Sequence, residues 1–159
     1  MGKRTKRLMA VLGASAVLLA GTAGSAGAVG SGTQAVGFQL KNVQTGRCLD
    51  SNYNGEVYTS PCAKGGDNPY QQWQWGYWGV NALRNVETGL CLQNIAGDRV
   101  TTYDCDGTSE QIWSREYPVA NRETISNKRT WRGLDSNANG QAYTSPYSTT
   151  NPYMQWWEW

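Results

Sequence analysis

Two stretches of the sequence carry a carboxylate and a tyrosine at the same spacing. Asp50 is followed eight residues later by Tyr58, and Asp135 is followed eight residues later by Tyr143. A fixed carboxylate accepts hydrogen bonds from two neighbouring hydroxyl groups, and a tyrosine ring covers the apolar C–H face of a pyranose. The pattern therefore favours sugar recognition in both stretches.

A competing interpretation is that the two stretches are simple turns. Residues 49–61 and 134–146 are identical at 10 of 13 positions, and both contain Asp-Ser-Asn and Asn-Gly, which are good turn formers. Turn formation is the better explanation of Asn52 and Asn137, which we expect to shape the loops. It does not specify the tyrosine after each turn, so sugar contact is the favoured interpretation of that residue.

The composition excludes most familiar hydrolase chemistry. The chain has no histidine, which rules out Ser-His-Asp and Cys-His nucleophiles, imidazole general bases and histidine-ligated zinc. Asp50 and Asp135 belong to different repeats, so we do not expect them to flank one glycosidic bond as a catalytic pair. Asp104 and Asp106 have the surroundings of turn residues. We predict no enzyme activity, no catalytic residue, no metal and no cofactor.

The first 28 residues have the three-part layout of a secretory signal peptide. A basic segment over residues 1–7 precedes an apolar run over residues 8–20, and small residues follow it up to Ala28. The apolar run has 13 residues, which is too short to span a bilayer. We predict cleavage after Ala28, secretion of the mature chain, no membrane insertion, and a short flexible segment over residues 29–37.

The charge and composition of the remaining chain indicate a β-rich domain that does not bind nucleic acid. Residues 1–28 contain four of the 14 basic residues and none of the 12 acidic ones, which leaves 10 basic against 12 acidic residues. Nucleic acid binding needs a positive surface. Nineteen glycines and only 16% charged residues favour short strands joined by tight turns over a helical bundle.

The mature chain contains three copies of one unit of about 40 residues. The segments 38–50, 81–93 and 123–135 begin alike, and each copy ends on Gln-x-Trp. Three blades are too few for a propeller, and frequent Thr-Gly, Asn-Gly and Asn-Pro pairs argue against helical repeats. We therefore predict an all-β domain over residues 38–159 with about four strands in each repeat. The repeats run over residues 38–79, 80–121 and 122–159.

Alignment of the copies places apolar residues at equivalent positions, which predicts a core of threefold pattern. We expect the tryptophan of each Gln-x-Trp motif to be buried in this core. The predicted layers are Leu40, Leu83 and Ile125; Leu49, Leu92 and Leu134; Val57, Val100 and Ala142; and Trp73, Trp113 and Trp157.

The four cysteines are expected to form structural disulfides. Cys48 and Cys62 are 14 residues apart, as are Cys91 and Cys105 at the equivalent positions of the second copy. Of the three possible pairings, this equality favours the one within each copy. Metal binding and redox activity would need closer Cys-x-x-Cys spacing. The third copy lacks both cysteines.

The three Gln-x-Trp units, with a cysteine pair inside two of them, resemble the ricin-type B-chain lectins over residues 38–159. The stretch 42–59 resembles in particular the repeats of small secreted mannose-binding lectins of bacteria. The resemblance implies a β-trefoil with pseudo-threefold symmetry and a secreted, metal-independent, non-catalytic lectin, monomeric and with glycans as partners. Because β-trefoils also serve as protein-binding or inhibitor modules, that function is kept as the alternative.

The resemblance also implies a sugar pocket in each active repeat, formed by the Asp, the aromatic residue and polar groups near Gln-x-Trp. The second copy has Gln93 and Thr101 in place of the Asp and the Tyr, so we predict two sites, in copies one and three. The predicted sugar-binding residues are Asp50, Tyr58, Asn68, Tyr70 and Gln71, and Asp135, Tyr143, Asn151, Tyr153 and Gln155.

Overall fold

The computed structural model describes residues 37–76 and 81–159, so the predicted signal peptide and almost all of the segment 29–37 lie outside the described residues. The described part contains twelve short β-strands, four in each repeat. They are β1 (Leu40–Asn42), β2 (Arg47–Ser51), β3 (Val57–Pro61), β4 (Trp73–Trp75), β5 (Leu83–Asn85), β6 (Cys91–Ala96), β7 (Arg99–Tyr103), β8 (Trp113–Val119), β9 (Arg122–Asn127), β10 (Arg132–Ser136), β11 (Ala142–Pro146) and β12 (Gln155–Glu158). Short 3-10 helices cover Lys64–Gly66, Pro69–Gln71, Ser109–Gln111 and Pro152–Met154.

The strands pair in a way that repeats three times around the molecule. The last strand of each repeat pairs antiparallel with the first strand of the next, as β4 with β5, β8 with β9, and β12 with β1. The two middle strands of each repeat form a hairpin, as β2 with β3, β6 with β7, and β10 with β11. This arrangement is a β-trefoil, which confirms the predicted fold class.

The core consists of equivalent residues from the three repeats. Each repeat buries one tryptophan, whose indole N–H donates to the carbonyl oxygen of a leucine on the second strand at 2.9–3.0 Å. A buried indole thus satisfies its only donor inside the apolar core. The fully or nearly fully buried core residues are Leu40, Leu49, Trp73, Leu83, Leu92, Val100, Trp113, Ile125, Leu134 and Trp156.

The prediction that Trp157 is a core residue is wrong. Trp156 is fully buried and donates to the Leu134 carbonyl, whereas Trp157 is 41% exposed. Successive side chains of a strand point to opposite faces, so only one of two adjacent tryptophans can enter the core. In the third repeat the segment equivalent to Gln-x-Trp is therefore Met154-Gln155-Trp156, and Met154 takes the place of the glutamine of the other two repeats.

The two predicted disulfides are present and the third repeat replaces them by packing. Cys48 bonds to Cys62, and the equivalent pair of repeat two is bonded in the same way, with S–S distances of 2.01 and 1.98 Å. Gly133 stands in the place of Cys48, and a Cβ atom at Gly133 would lie 2.6 Å from the Met154 sulfur. The methionine side chain thus fills space beside the glycine in the repeat that has no disulfide.

One polar cluster lies where the three repeats meet. Trp75, Arg115 and Glu158 each follow a core tryptophan by two residues, and we call these three side chains the axial cluster. The Glu158 carboxylate accepts hydrogen bonds from the Trp75 indole N–H, at 3.1 Å, and from the Arg115 guanidinium, which lies 4.8 Å from the Trp75 ring centroid. Because equivalent residues of all three repeats touch here, the cluster surrounds the pseudo-threefold axis.

Buried Glu123 adjoins the axial cluster. Its Oε2 accepts from Arg115 Nε at 2.5 Å, while its Oε1 has no hydrogen-bond partner within the described residues. Burial raises the pKa of Glu123 to about 7, although the Arg115 guanidinium acts in the opposite direction. The folded protein therefore binds a proton here more tightly than the unfolded chain does.

Candidate functional site

The predicted site residues of repeats one and three lie on two equivalent hairpins. Asp50 on β2 stands directly opposite Tyr58 on β3, and Asp135 on β10 stands directly opposite Tyr143 on β11. Side chains at directly opposed positions of antiparallel strands point to the same face of the sheet. Each hairpin therefore presents its carboxylate beside a phenol ring.

Asparagine side chains set the shape of both hairpin turns. The Asn52 Oδ1 accepts from the backbone N–H groups of Asn54 and Glu56 at 3.0 and 3.1 Å. Asn137 Oδ1 accepts from the two equivalent N–H groups at 3.0 and 3.2 Å. A glycine in the left-handed region completes each turn, at φ +80° in repeat one and +88° in repeat three.

Three side chains hold the carboxylate of Asp50 in repeat one. Its Oδ2 accepts from Ser60 Oγ at 2.6 Å and from the amides of Asn68 and Gln71, both at 3.1 Å. Asp50 as a whole residue is 3% exposed, and its Oδ1 is buried without a hydrogen-bond partner in the described part of the chain. The structure thus brings Asn68 and Gln71 to Asp50, and the three donors fix the orientation of its carboxylate.

The equivalent carboxylate in repeat three has a different set of partners. Asp135 Oδ1 accepts from the backbone N–H of Ser136 at 2.8 Å, and Oδ2 accepts from the hydroxyl of Ser145 and from Asn151 Nδ2, the latter at 3.2 Å. Both oxygens are therefore engaged. The structure brings Asn151 to Asp135, as it brings Asn68 to Asp50.

The structure does not bring Gln155 to Asp135. The Gln155 side chain is nearly buried and its Nε2 donates to the Thr149 carbonyl at 2.7 Å. The residue that occupies the position of Gln71 is Met154, whose sulfur accepts the backbone N–H of Ser148 at 3.3 Å. A thioether has no hydrogen to donate, so repeat three lacks the donor that Gln71 supplies in repeat one.

Two tyrosines complete the aromatic part of each hairpin. Tyr58 and Tyr143 are half-buried, and burial, followed by the charge of the neighbouring aspartate, raises the pKa of both phenols above the ordinary value of 10. Tyr70 and Tyr153 lie on short 3-10 helices. Their backbone N–H groups donate to the side chains of Asn68 and Asn151, which cap these helices. The same asparagine thus orients an aspartate and starts the helix that carries a tyrosine.

A cavity of about 280 Å³ adjoins the hairpin of repeat one. Its lining includes Tyr53, which the sequence interpretation did not assign to the site, together with Tyr58 and Tyr70. The available signal was the difference between the two stretches, because repeat three has Ala138 where repeat one has Tyr53. The other lining residues are Ser51, Asn52 and Asn54.

Repeat two has neither the carboxylate nor the phenol at this position. Gln93 stands opposite Thr101, and the Gln93 amide donates to the Thr101 hydroxyl at 3.0 Å. The two side chains are hydrogen-bonded to each other, and neither carries a charge. The hairpin of repeat two shows that the fold accepts a neutral pair at the place of Asp50 and Tyr58.

Residues 37–76 and 81–159 contain neither a metal-binding cluster nor a membrane-spanning helix. No group of three or more potential metal-binding side chains is present among these residues. Their helices are all too short or too polar to cross a membrane.

Comparison with solved structures supports the fold. ThreeFoil, a designed threefold symmetric protein, has a TM-score of 0.64 at 20% identity, over 75% of this chain and 94% of that one. The hemolytic lectin CEL-III has a TM-score of 0.64 at 24% identity, and the match covers 76% of this chain but only 29% of CEL-III. SeviL, solved bound to asialo-GM1 saccharide, has a TM-score of 0.62 at 19% identity, over 78% of this chain and 97% of SeviL.

The sequence itself matches a protein-family model over most of its length. The model describes the ricin-type beta-trefoil lectin domain and matches residues 36–156. This range includes all three hairpins, both disulfides and the three buried tryptophans. The chain belongs to the family of ricin-type β-trefoil lectin domains.

Proposed function

We propose that the protein is a secreted, non-catalytic, metal-independent lectin that binds mannose-type glycans through two sites, in repeats one and three. Its family is one of lectin domains, one structural neighbour is the hemolytic lectin CEL-III, and another, SeviL, was solved bound to a saccharide. Repeat sequences similar to those of actinohivin, a bacterial mannose-binding lectin, support the choice of sugar. The monomer is the binding unit in this proposal.

The observation that carries the proposal is the pair of opposed Asp and Tyr side chains that occurs on two of the three hairpins. The Asp50 carboxylate is oriented by three donors, and its Oδ1 is unpartnered within the described residues. This Oδ1 atom is itself buried, so a sugar hydroxyl reaches it only when the side chains that cover it move, and a bond made there would offset the cost of about 1–3 kcal/mol of a buried acceptor without a partner. The phenol of Tyr58 beside it offers an apolar face to the C–H groups of a sugar ring.

Secretion is supported by two independent features. The described domain contains two disulfides and no free cysteine, as expected of a protein that folds in an oxidising compartment. The N-terminal 28 residues have the sequence pattern of a signal peptide. The test is N-terminal sequencing of the protein exported by a bacterial host, for which we expect the mature chain to begin at Val29.

Two sites on one chain would raise the avidity for a branched glycan. A single shallow sugar site engages few atoms and gives weak affinity. Two linked sites that engage the same glycan raise the apparent affinity by a factor of about 10²–10⁴ when the geometry allows both to bind. We therefore expect the protein to bind polyvalent mannan much more tightly than free monosaccharide.

The test is glycan-array binding of the disulfide-bonded mature chain and of a variant without either site. Repeat two supplies the design, because its Gln93 and Thr101 form a neutral pair that the fold accepts. The quadruple variant Asp50→Gln, Tyr58→Thr, Asp135→Gln, Tyr143→Thr should lose the array signal while still folding, with one cooperative thermal unfolding transition. A folded variant that still binds would refute the site assignment.

Competition with free mannose separates the lectin from the alternative, a protein-binding or inhibitor module. A lectin releases its target when free mannose is present in excess, whereas a protein ligand stays bound. Release of reducing ends from mannan by the purified protein would contradict the non-catalytic assignment.

A further inference from the structure

Repeat one carries an exposed tyrosine that its hairpin does not need. Tyr53 lies in the turn between β2 and β3 with 62% of its surface exposed, and the equivalent residue of repeat three is Ala138. The two turns are otherwise built alike, since the side chain of Asn52 or Asn137 accepts two backbone N–H groups in each. The turn therefore forms with or without a large side chain at this position.

The Tyr53 ring is nevertheless held from two sides. It meets the ring of Tyr70 edge to face, with 5.8 Å between the ring centroids and 88° between the ring planes. Its hydroxyl donates to the Glu87 carboxylate at 3.3 Å, and Glu87 belongs to the turn between β5 and β6 of the neighbouring repeat. A ring that is positioned before the ligand arrives loses little conformational entropy on binding.

The cavity beside this ring has the size and lining expected of a sugar subsite. Its volume of about 280 Å³ is close to the lower end of the range of ligand pockets, which suits one small ring. Three tyrosines, Tyr53, Tyr58 and Tyr70, line it, together with Asn52 and Asn54. Because Tyr58 also belongs to the Asp50 pair, the cavity adjoins the proposed primary site.

We propose that Tyr53, Tyr70 and Glu87 form a second sugar subsite, so that repeat one binds two consecutive residues of a glycan and repeat three binds one. The tyrosine rings would cover the second sugar ring. Glu87 does not line the cavity but adjoins it through its hydrogen bond to Tyr53, and its exposed carboxylate has the capacity to accept a hydroxyl that extends beyond the cavity. This inference rests on the proposed function, because the first residue of the glycan occupies the Asp50 site.

The test uses proteins with one site each. The pair Asp135→Gln, Tyr143→Thr leaves repeat one active, and the pair Asp50→Gln, Tyr58→Thr leaves repeat three active. Calorimetric titration with methyl α-mannoside and with an α-linked mannobiose gives a preference ratio for each protein. We expect about a tenfold preference for mannobiose in the repeat-one protein and no more than about twofold in the repeat-three protein.

The discriminating variant is Tyr53→Ala in the repeat-one protein, because alanine is what repeat three has at this position. We expect it to remove the preference for mannobiose while the Kd for methyl α-mannoside changes by less than about twofold. Equal ratios in the two single-site proteins, or a preference that survives Tyr53→Ala, would overturn the subsite and leave the lectin function standing. Absence of binding of either probe to both folded proteins would overturn the proposed function, and the subsite with it.

Discussion

Repeats one and three present the same Asp and Tyr pair, but different residues support the two hairpins from inside the protein. In repeat one the disulfide between Cys48 and Cys62 links the two ends of the hairpin, and the Gln71 amide donates a hydrogen bond to the aspartate. Repeat three has Gly133 and Met154 in these places, and a backbone N–H supplies a hydrogen bond to its aspartate instead. The Asp and Tyr pair can therefore persist at the surface while the disulfide and the hydrogen bond beneath it are replaced by packing.

The exchange leaves the two carboxylates chemically unequal. Asp50 has one oxygen without a partner within the described residues, whereas both oxygens of Asp135 accept hydrogen bonds. A ligand hydroxyl that displaces the cover of this buried oxygen therefore gains more at repeat one, where the acceptor has no partner. Repeat one is accordingly expected to be the stronger of the two proposed sites.

The largest loss of stability should come from one of the two adjacent tryptophans of repeat three and not from the other. Trp156→Ala removes a fully buried indole and should lower the free energy of unfolding by about 3–5 kcal/mol. Trp157→Ala, the matched control, should lower it by less than about 1 kcal/mol because Trp157 is an exposed side chain. Urea denaturation measures both values, and a larger loss for Trp157→Ala would contradict the strand register.

The disulfide of repeat one should account for the next largest effect. Replacement of Cys48 and Cys62 by alanine opens a loop with a sequence separation of 14 residues. In the chain-entropy model this lowers the free energy of unfolding by about 3 kcal/mol, measured by denaturation in urea. A loss below about 1 kcal/mol would mean that packing alone suffices for repeat one, as it does for repeat three.

A pH dependence should arise from Glu123, which stands where repeat one has Phe38. Its pKa is about 7 in the folded protein against 4.5 for an ordinary glutamate, so the folded state binds more protons between these values. The free energy of unfolding therefore falls as the pH rises from about 4.5 to 7, by an amount on the order of 2–3 kcal/mol.

The control for this pH dependence is Glu123→Gln, which keeps the shape and removes the titration. Denaturation at a series of pH values should give a flatter stability curve for the variant than for the parent. Parallel curves for the two proteins would show that Glu123 is not the source of the slope.

The smallest effect should come from Gly133. Gly133→Ala places a methyl group against the Met154 sulfur and should cost about 1–2 kcal/mol through overpacking. In a Met154→Ala background the same methyl group enters freed space and should cost nothing. A thermodynamic cycle of the two variants measures this coupling, and strict additivity would argue against direct contact.

Much of the fold could be predicted because the repeats carry redundant information. Apolar positions such as Leu40, Leu83 and Ile125 recur at one spacing, and three agreeing copies locate the core better than any single strand pattern does. The disulfide pairing was predictable for the same reason, since two equal spacings favour one connectivity.

Two assignments failed where one repeat departs from the others. The sequence offers Gln155-Trp156-Trp157 as an apparent Gln-x-Trp motif, but the strand register selects Trp156, and Met154 takes the glutamine position. Gln155 consequently points to Thr149 rather than to the aspartate. The position of Tyr53 against Glu87 depends on a contact between repeats, which no pattern within one repeat contains.

The axial cluster bears on how a chain of duplicated units can change. Its three equivalent positions hold an indole, a guanidinium and a carboxylate that bind one another. Three copies of the second repeat would instead bring three guanidinium groups together, and three copies of the third would bring three carboxylates together. The axis therefore requires one copy of each unit, and recombination that replaced one unit by a copy of another would be disfavoured there even if every sugar-binding pair were kept.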